Sequence, residues 1–399
     1  MNKWILVILL LYTGIASGQT VFTVTNNNPT GPGSLEEAMT QANQVPGSDT
    51  IKFNIPGALG NVITPLGLPD IGESVYIDGF SQPVGGPIVI EGIQAMRIFT
   101  SQGSQSFVFK YLTFQNGNAD GDGTGIEYNT AVTGDFIEID SCTFLSNDAT
   151  SRGGAVFLNG NVDARITRSF FQDNSAFEGG AIYKQGLGSL NIANCVFENN
   201  FTYDTSSGSG GAIGMGFGSG QITITDSYFH TNVSFGGPGG AIDFLGTWDV
   251  FISRCLFANN EGTSGSAIRL GSGSHEIDNS TFSGNLSYFS EGAIYSNSFG
   301  TPTMLTSVTL YNNRTSNFEQ NRDFYISGGE VTLSHTITET VAYTGGEGFF
   351  FSDGYNFVAV DTSTFEPFPA LPTDVTGTSG YIDPLLGPLQ VNGNNSAYN

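Results

Sequence analysis

Three features of the sequence predict an all-β fold, a parallel β-helix in which every coil adds strands to long parallel sheets. An isoleucine precedes a phenylalanine by five residues in six successive segments, and an asparagine follows each phenylalanine by three residues. A box of small residues close to Gly-Gly-Ala-Ile comes next. Successive phenylalanines are 25 to 32 residues apart, a spacing typical of a solenoid with one structural unit per repeat. The matched residues are Ile139, Ile166, Ile192, Ile224, Ile252 and Ile277, then Phe144, Phe171, Phe197, Phe229, Phe257 and Phe282, then Asn147, Asn174, Asn200, Asn232, Asn260 and Asn285.

Alternation within each unit predicts two strands separated by a bend. Residues seven and five before the phenylalanine are mostly apolar, as in Leu190 and Ile192, and this period of two is that of a strand. The residue two before the phenylalanine is a cysteine or a serine, as in Cys195, and it is out of phase with the isoleucine. A strand changes phase only at a bend. We therefore expect the chain to turn a corner at outward residues such as Asn194.

Stacked units place like residues on like residues about 4.8 Å apart, the spacing of strands in a sheet. The inward positions recur in degraded form from Phe107 to Phe114 and from Leu305 to Asn313, so eight coils are legible. Weaker alternation around Val75, Ile88 and Val331 indicates several more. A leucine-rich horseshoe is excluded, because leucine does not dominate the repeat and no helical periodicity separates the boxes.

Four regions follow from these patterns. Residues 1–18 have a lysine, a short apolar run and a small-residue end, as in a signal peptide. Residues 19–60 form an N-terminal cap and the first strands, residues 61–340 the β-helix repeats, and residues 341–399 irregular C-terminal coils that a longer native chain would extend. We expect an exported protein, extracellular or on the outer-membrane surface. No segment of the mature chain is apolar over the length of a transmembrane helix.

The cap contains a helix signal. Ser34 to Glu37 match a capping box, and Leu35, Ala38, Met39 and Ala42 follow at helical spacing. A short amphipathic helix that covers the first coil is therefore expected, because the ends of a solenoid need a cover.

The three cysteines, Cys142, Cys195 and Cys255, occupy the same position in alternate coils. Two sheet spacings, roughly 9.6 Å, would separate neighbours, which exceeds the ~7 Å Cα limit for a disulfide. We predict three buried free thiols. We expect the repeated asparagines to satisfy backbone groups at successive corners, so the glycosylation sequons that several of them open are by-products of the repeat.

The pairing of Phe-x-x-Asn with Gly-Gly-Ala-Ile, repeated between Phe107 and Asn313, resembles the repeats of chlamydial polymorphic outer-membrane proteins and similar bacterial surface proteins. The segments from Val24 to Phe53 and from Asp383 to Leu389 resemble the flanks of right-handed β-helix domains in secreted bacterial proteins. The resemblance implies a right-handed parallel β-helix displayed at or beyond the outer membrane. It also implies adhesion, or contact with a host or surface, as the usual role.

The charge composition limits the classes of ligand that the protein is expected to bind. The 399 residues include 12 Lys and Arg against 36 Asp and Glu, for a formal net charge of −24. Long-range repulsion disfavours nucleic acid and acidic polysaccharides. We expect a monomer that contacts a carbohydrate or another cell-surface ligand.

An enzyme is the main alternative, since the β-helix also hosts polysaccharide lyases and glycoside hydrolases. A hydrolase needs two carboxylates roughly 5–10 Å apart, and Asp135, Glu138 and Asp140 are expected to crowd the outer face of one coil. A chain with this many acidic residues is expected to contain clusters of carboxylates that have no catalytic function. We therefore assign no catalytic residue and keep these three as weak candidates. Arg254 and Asp226, on adjacent coils, are interpreted as an ion pair without a catalytic role.

Calcium is the one cofactor for which the sequence contains a candidate site. No other cofactor is expected. Asn118, Asp120 and Asp122, followed by Gly123, reproduce the first half of a calcium loop. The twelfth position is Asn129 where a bidentate glutamate is needed, so an acidic glycine-rich turn is the favoured interpretation.

Loop length varies between the repeated asparagine and the small-residue box, on a single edge of the solenoid. The longest insertion runs from Phe201 to Ser209 and presents Tyr203, and a shorter one presents Phe235. Binding residues concentrate on such loops, so this edge is the predicted binding surface. The sequence thus favours a non-catalytic, adhesin-like protein. A carbohydrate-active enzyme and a structural spacer in an envelope or matrix are the alternatives.

Overall fold

The computed structural model describes residues 19–93, 96–102, 106–203, 209–316, 322–361 and 368–377. The predicted signal peptide and the residues after 377 lie outside these ranges. Within them the chain winds through about 11 turns of a parallel β-solenoid with one short α-helix. The predicted fold class is confirmed.

Coils in the middle of the solenoid run through three long faces and one short sheet. The isoleucine face comprises Val21–Val24, Asp49–Phe53, Val75–Asp78, Phe107–Lys110, Leu190–Ala193, Thr247–Ser253, His275–Asp278 and the later parts of Ile126–Asp140, Val156–Thr167, Ile213–Thr225, Ile294–Thr306, Phe324–Ser334 and Ile337–Ser352. The phenylalanine face comprises Val62–Ile63, Ile88–Glu91, Leu112–Gln115, Thr143–Leu145, Phe170–Gln172, Val196–Glu198, Tyr228–His230, Leu256–Ala258, Thr281–Ser283, Thr309–Tyr311, Phe357–Asp361 and Val375–Thr376, together with the start of Ile337–Ser352.

The third face begins at the small-residue boxes. It comprises Phe99–Gln102, Ile182–Leu187, Ile242–Phe244, Ile268–Leu270 and the first parts of the long strands that continue onto the isoleucine face. The short sheet comprises Asn118–Ala119, Asp148–Ala149, Ser175–Ala176, Phe201–Thr202, Val233–Ser234, Glu261–Ser264, Leu286–Glu291 and Arg314–Thr315. Two 3-10 turns, Gly57–Leu59 and Gly79–Ser81, lie in N-terminal loops. All of these strand pairs are parallel.

The core is built from the predicted columns. The repeated isoleucines pair in register and are at most 1% exposed. Seven phenylalanine rings stack with centroids 4.7 to 4.8 Å apart and planes within 6° of parallel. The spacing of the rings is the spacing of the coils. The rings of the column are Phe114, Phe144, Phe171, Phe197, Phe229, Phe257 and Phe282.

The bend between the isoleucine and phenylalanine strands lies where the phase change predicts it. From Tyr111 to His335, successive coils place one residue there in the left-handed region, for example Arg168 at φ 49°, Asn194 at φ 55° and Arg254 at φ 54°. One left-handed residue rotates the next side chain inward without an insertion in the neighbouring coil. The cysteine or serine that follows is therefore buried, as Cys195 is.

The asparagine column forms a continuous hydrogen-bonded ladder, as expected. Asn200 donates from Nδ2 to the Phe171 carbonyl at 2.9 Å and to Oδ1 of Asn232 at 3.0 Å. Its own Oδ1 accepts from the backbone N–H of Asn174 at 3.1 Å and from the Asn174 side-chain amide at 2.9 Å. The last amide of the ladder donates to the buried Asp323 carboxyl at 2.7 Å. Every amide atom of Asn200 thus satisfies a buried polar group.

The three cysteines are free and buried, which confirms the prediction. The Cys142 thiol donates to the Phe109 and Asp140 carbonyls, each at 3.4 Å. Burial raises the pKa of each thiol to about 12. Thiols that stay protonated at neutral pH are unreactive.

The N-terminal helix, Leu35–Ala42, is confirmed with its cap at Ser34. The Ser34 hydroxyl accepts from the Glu37 N–H at 3.1 Å, but the Glu37 carboxylate reaches back to the N–H of Gly33, at 2.6 Å, rather than to that of Ser34. Its apolar side packs on the first strands, with Leu35 fully buried. No helix in the described ranges is long and apolar enough to cross a bilayer.

Strand pairing continues beyond residue 340. Ile337–Ser352 pairs with Phe324–Ser334, and Phe357–Asp361 and Val375–Thr376 continue the phenylalanine face. Stacking therefore extends through residues whose sequence no longer shows the repeat.

Candidate functional site

A groove of about 210 Å³ runs along the outer surface of the isoleucine face. Strands of four successive coils line it, and their outward side chains are neighbours in register. Four coils at sheet spacing give it a length on the order of 15–20 Å, parallel to the solenoid axis. The outward side chains used below are Gln221, Asp249, Phe251, Ser274, Glu276 and Met304. We call this feature the axial groove.

The floor of the axial groove is apolar. Phe251 is half-buried and Met304 is 45% exposed, and Pro302 lies beside them. Outward positions of a solenoid face are normally polar because they meet water. In the register of Phe251 the preceding coils present Arg165, Asn191 and Thr223. The phenylalanine thus differs from the polar residues of the three coils before it.

The rim of the axial groove has a fixed carboxylate. Asp249 Oδ1 accepts from the backbone N–H of Ser274 at 3.0 Å and from the Ser274 hydroxyl at 2.8 Å. These bonds hold the pKa of Asp249 below its usual value. Glu276 lies one coil further along and is exposed. The groove therefore presents at least one oriented, ionised acceptor at neutral pH.

An imidazole lies beneath the groove. His275 is 2% exposed, and its Nδ1 is 3.2 Å from the Thr303 hydroxyl. Its Nε2 is buried and makes no hydrogen bond. Burial lowers the pKa of His275 to about 4, so the ring is neutral at pH 7. It occupies the inward column that elsewhere holds Ile222 and Val250.

Asp140 and Glu138 form an ion-pair cluster. Asp140 Oδ1 accepts from the Thr167 hydroxyl at 2.8 Å and pairs with Arg168. Lys110 lies 3.1 Å from Glu138 and 3.8 Å from Asp140. Burial works to raise the pKa of Asp140, but Thr167, Arg168 and Lys110 outweigh it and the pKa is lowered. A catalytic role stays a prediction, and this carboxylate is poorly suited to act as a general acid.

The expectation that Asp135 shares that outer face is wrong. Asp135 is 7% exposed, pairs in register with the buried Val162, and accepts a hydrogen bond from Thr130. Its parity along the strand is that of Ile137, which is inward, whereas Glu138 is outward. The prediction grouped Asp135 with the nearby acids Glu138 and Asp140 because they are close in sequence. The side chains of a strand alternate between its two faces, so Asp135 lies on the face opposite to the other two.

The ion pair predicted between Arg254 and Asp226 is confirmed. Two parallel contacts of 2.7 Å join Nε to Oδ1 and Nη2 to Oδ2. Both side chains are solvent-exposed in part, and such surface pairs stabilise a fold by less than about 1 kcal/mol.

The predicted binding edge is partly packed against its own coils. The Tyr203 hydroxyl donates to the Ala149 carbonyl, and burial together with Asp148 raises the Tyr203 pKa to about 12. The Phe235 ring meets Phe201 edge-on at 6.4 Å. Residues 204–208 of the longest insertion lie outside the described ranges. A binding role for Tyr203 and Phe235 stays a prediction.

Arginine occupies the predicted calcium loop. The Asp122 carboxylate receives Nε and Nη2 of Arg152 at 3.0 and 2.7 Å, and Arg97 donates to the Asp122 carbonyl at 2.7 Å. Asn118 and Asp120 are exposed. Nowhere in the described ranges do three or more His, Cys, Asp or Glu side chains converge as metal ligands. Calcium binding here stays a prediction and would compete with Arg152 for Asp122.

Sequence reasoning missed the axial groove. Neither Phe251 nor Glu276 is among the site residues that the sequence predicts. A usable signal existed, because Phe251 lies one residue before Ile252 and so has outward parity. Asp249 shares that parity. What the sequence could not show is that both side chains border one continuous depression.

Comparison with known proteins agrees with the geometry. A family model described as the right-handed β-helix region matches residues 98–263. No curated protein sequence and no solved structure matches the chain. The match and the coil geometry place the chain in the class of right-handed parallel β-helix proteins. The match supports the right-handed β-helix family. It does not show the specific repeat of polymorphic outer-membrane proteins.

Proposed function

We propose that this protein is a secreted or surface-displayed, non-catalytic protein of adhesin type that binds a glycan in the axial groove. The observation that supports this most directly is an elongated depression whose floor is apolar, with Phe251 and Met304, and whose rim is polar, with Asp249 and Gln221. The proposal that the protein is exported rests on the signal-peptide pattern of residues 1–18.

The chemistry of the groove suits a sugar. A pyranose has apolar C–H faces and hydroxyl edges, and ligand sites typically combine an apolar surface with a few placed polar groups. The strands that line the groove pair in register with coils on both sides. Binding would therefore cost little ordering of the protein, which favours affinity.

Substitution of Phe251 by alanine tests the proposal. Removing the half-buried ring should lower glycan affinity roughly three- to tenfold, since full burial of a phenylalanine side chain contributes about 1.5–3 kcal/mol and the glycan would cover only the exposed half of this one. A glycan array identifies the ligand for the unsubstituted protein, and titration calorimetry then compares the variant.

Phe217→Ala is the matched control. Phe217 is 79% exposed and does not line the groove, so this variant should bind like the unsubstituted protein. Equal affinity of the Phe251→Ala variant, at unchanged thermal stability, would show that the groove is not the site.

A glycoside hydrolase is the second candidate, because Asp249 and Glu276 lie diagonally on adjacent coils. One sheet spacing combined with two residues along a strand gives roughly 8 Å between their Cα atoms, from which the two carboxyl groups can reach the separation of about 6.5–9.5 Å that inverting hydrolases use. Glycans bound on the array are incubated with the protein and assayed for new reducing ends. Cleavage that Glu276→Gln abolishes would replace the adhesin proposal with the hydrolase.

A further inference from the structure

The charge of the axial groove points to a class of glycan. Among its lining residues, all described, two are carboxylates, Asp249 and Glu276, and none is lysine or arginine. The whole chain has an excess of 24 negative charges. A low-dielectric cleft lined by one sign of charge concentrates ligands of the other sign. A ligand with positive charge therefore has an electrostatic advantage here over a neutral one.

The arrangement around Phe251 offers a place for an ammonium group. Phe251 follows Asp249 by two residues and pairs in register with Glu276. The half-buried ring is thus next to both carboxylate-bearing positions, one along its own strand and one on the adjacent coil. A cation above an aromatic face is attracted by the negative face of the ring, and neighbouring carboxylates add to that attraction. Hydrogen bonds from Ser274 fix the Asp249 carboxylate in place.

A basic peptide is the other cationic ligand to consider, and the backbone disfavours it. Extended peptides bind β proteins chiefly by adding a strand to an open sheet edge. Every strand of the groove pairs with a coil on each side, so no edge is open there. Recognition must rely on side chains that repeat once per coil. An extended glycan, whose monosaccharide repeat is close in length to the coil spacing, matches that pattern.

We propose that the axial groove selects glycans with free amino groups, that is, hexosamine units without an N-acetyl group, over neutral glycans of the same backbone. This inference rests on the proposed glycan binding in the groove. It names the feature of the sugar that the two carboxylates and the phenylalanine would recognise.

Two hexamers that differ only in acetylation test the inference. Calorimetry compares β-1,4-linked glucosamine hexamer with the corresponding N-acetylglucosamine hexamer. The free amine should bind at least about tenfold more tightly at about 0.1 M salt. The preference should shrink at about 1 M salt, where the Debye length falls from ~10 to ~3 Å.

Substitutions of the two groove carboxylates test whether they cause the preference for the free amine. Asp249→Asn keeps an oxygen that can accept from Ser274, and Glu276→Gln keeps size. Each should reduce the ratio of the affinity for the free-amine hexamer to the affinity for the acetylated hexamer several-fold, with both affinities measured on the same variant. Asp173→Asn is the control, because Asp173 is exposed and lies outside the groove. That variant should keep the full preference.

The outcomes separate the inference from the proposed function. Equal binding of both hexamers, lost in Phe251→Ala, would overturn the amine preference and leave glycan binding in the groove intact. If neither hexamer binds and the array also finds no glycan, the proposed function fails as well. An oligolysine peptide that binds more tightly than the glucosamine hexamer, in an Asp249- and Glu276-dependent way, would assign the groove to a basic peptide instead.

Discussion

Two polar side chains, His275 and Lys184, are forced into the core by the register of their coils. Lys184 is fully buried in the column of Leu158 and Met215. Its Nζ donates to two backbone carbonyls at 3.0 and 2.9 Å and lies 5.8 Å from the ring centroid of Trp248. Burial lowers the pKa of Lys184 to about 8. In a parallel β-helix the position in the coil decides burial, even where the residue is ionisable.

His275 makes stability depend on pH in a defined direction. Its pKa is about 4 when folded, against 6.5 for an unperturbed histidine. Between these values the unfolded chain binds more protons, so the free energy of unfolding falls as the pH drops from about 6.5 to 4. The loss from this residue is about 3 kcal/mol. His275→Val, which matches Val250 in the same column, should remove this part of the acid sensitivity. Urea denaturation at several pH values measures it.

His230→Gln is the control for that experiment. His230 is half-exposed on the phenylalanine face, and His275 remains intact in this variant. The free energy of unfolding of the His230→Gln variant should therefore fall as the pH drops, as it does in the unsubstituted protein. Parallel curves for the unsubstituted protein and His275→Val would contradict the linkage.

Residue types alone predicted the asparagine ladder, because one amide per coil can serve as donor and acceptor for its neighbours. They did not predict the burial of Lys184. Lys184 follows Ile182 by two residues in the sequence, but only the register shows that it stands in the buried column of Leu158 and Met215.

At the scale of elements, the bend after the isoleucine strand sets the coil shape. Its residues have φ between 46° and 56° and include Ser141, Arg168, Asn194, Asp226 and Asn279. The left-handed region costs most residues roughly 1–2 kcal/mol, and asparagine tolerates it best. The sequence predicted the position of the bend from the change of phase. It could not predict the dihedral angles, since arginine and serine occur there as well as asparagine.

Substitution at Asn194 tests the bend. Asn194→Val should lower the free energy of unfolding by about 2 kcal/mol, because a β-branched side chain is disfavoured at φ 55°. Asn194→Gly should stay within about 1 kcal/mol, since glycine adopts this conformation freely. Chemical denaturation compares the two.

Asn191→Val is the matched control, three residues earlier. Asn191 is exposed and lies in the strand Leu190–Ala193, where valine is favoured. Its stability should change by less than about 0.5 kcal/mol. A similar loss at both positions would place the cost in the side chain of valine rather than in the bend.

At the scale of the molecule, the solenoid has ends that must be covered. The helix Leu35–Ala42 covers the first coil, and the strand Val21–Val24 pairs only with Asp49–Phe53 among the described strands. An uncovered end would expose apolar core and unpaired backbone groups, which promotes edge-to-edge association.

Leu35→Asp tests the cover. A charge at this fully buried position should detach the helix, and the protein should associate as its concentration rises, as measured by light scattering with size-exclusion chromatography. Gln41→Asp places the same charge on an exposed position of the helix and should leave the elution volume unchanged. A Leu35→Asp variant that elutes like Gln41→Asp would show that the helix is dispensable as a cover.

The sequence by itself determined the coils, their inward columns, the bend, the ladder, the free thiols and the helical cap. These properties repeat at fixed offsets, so each copy reinforces the same interpretation. Tertiary structure decided that Arg152 occupies the Asp122 carboxylate, and that Asp249, Phe251 and Glu276 border one groove. Such features depend on which outward side chains meet across different coils. That is set by the register between strands some 25 to 30 residues apart, which local periodicity does not encode.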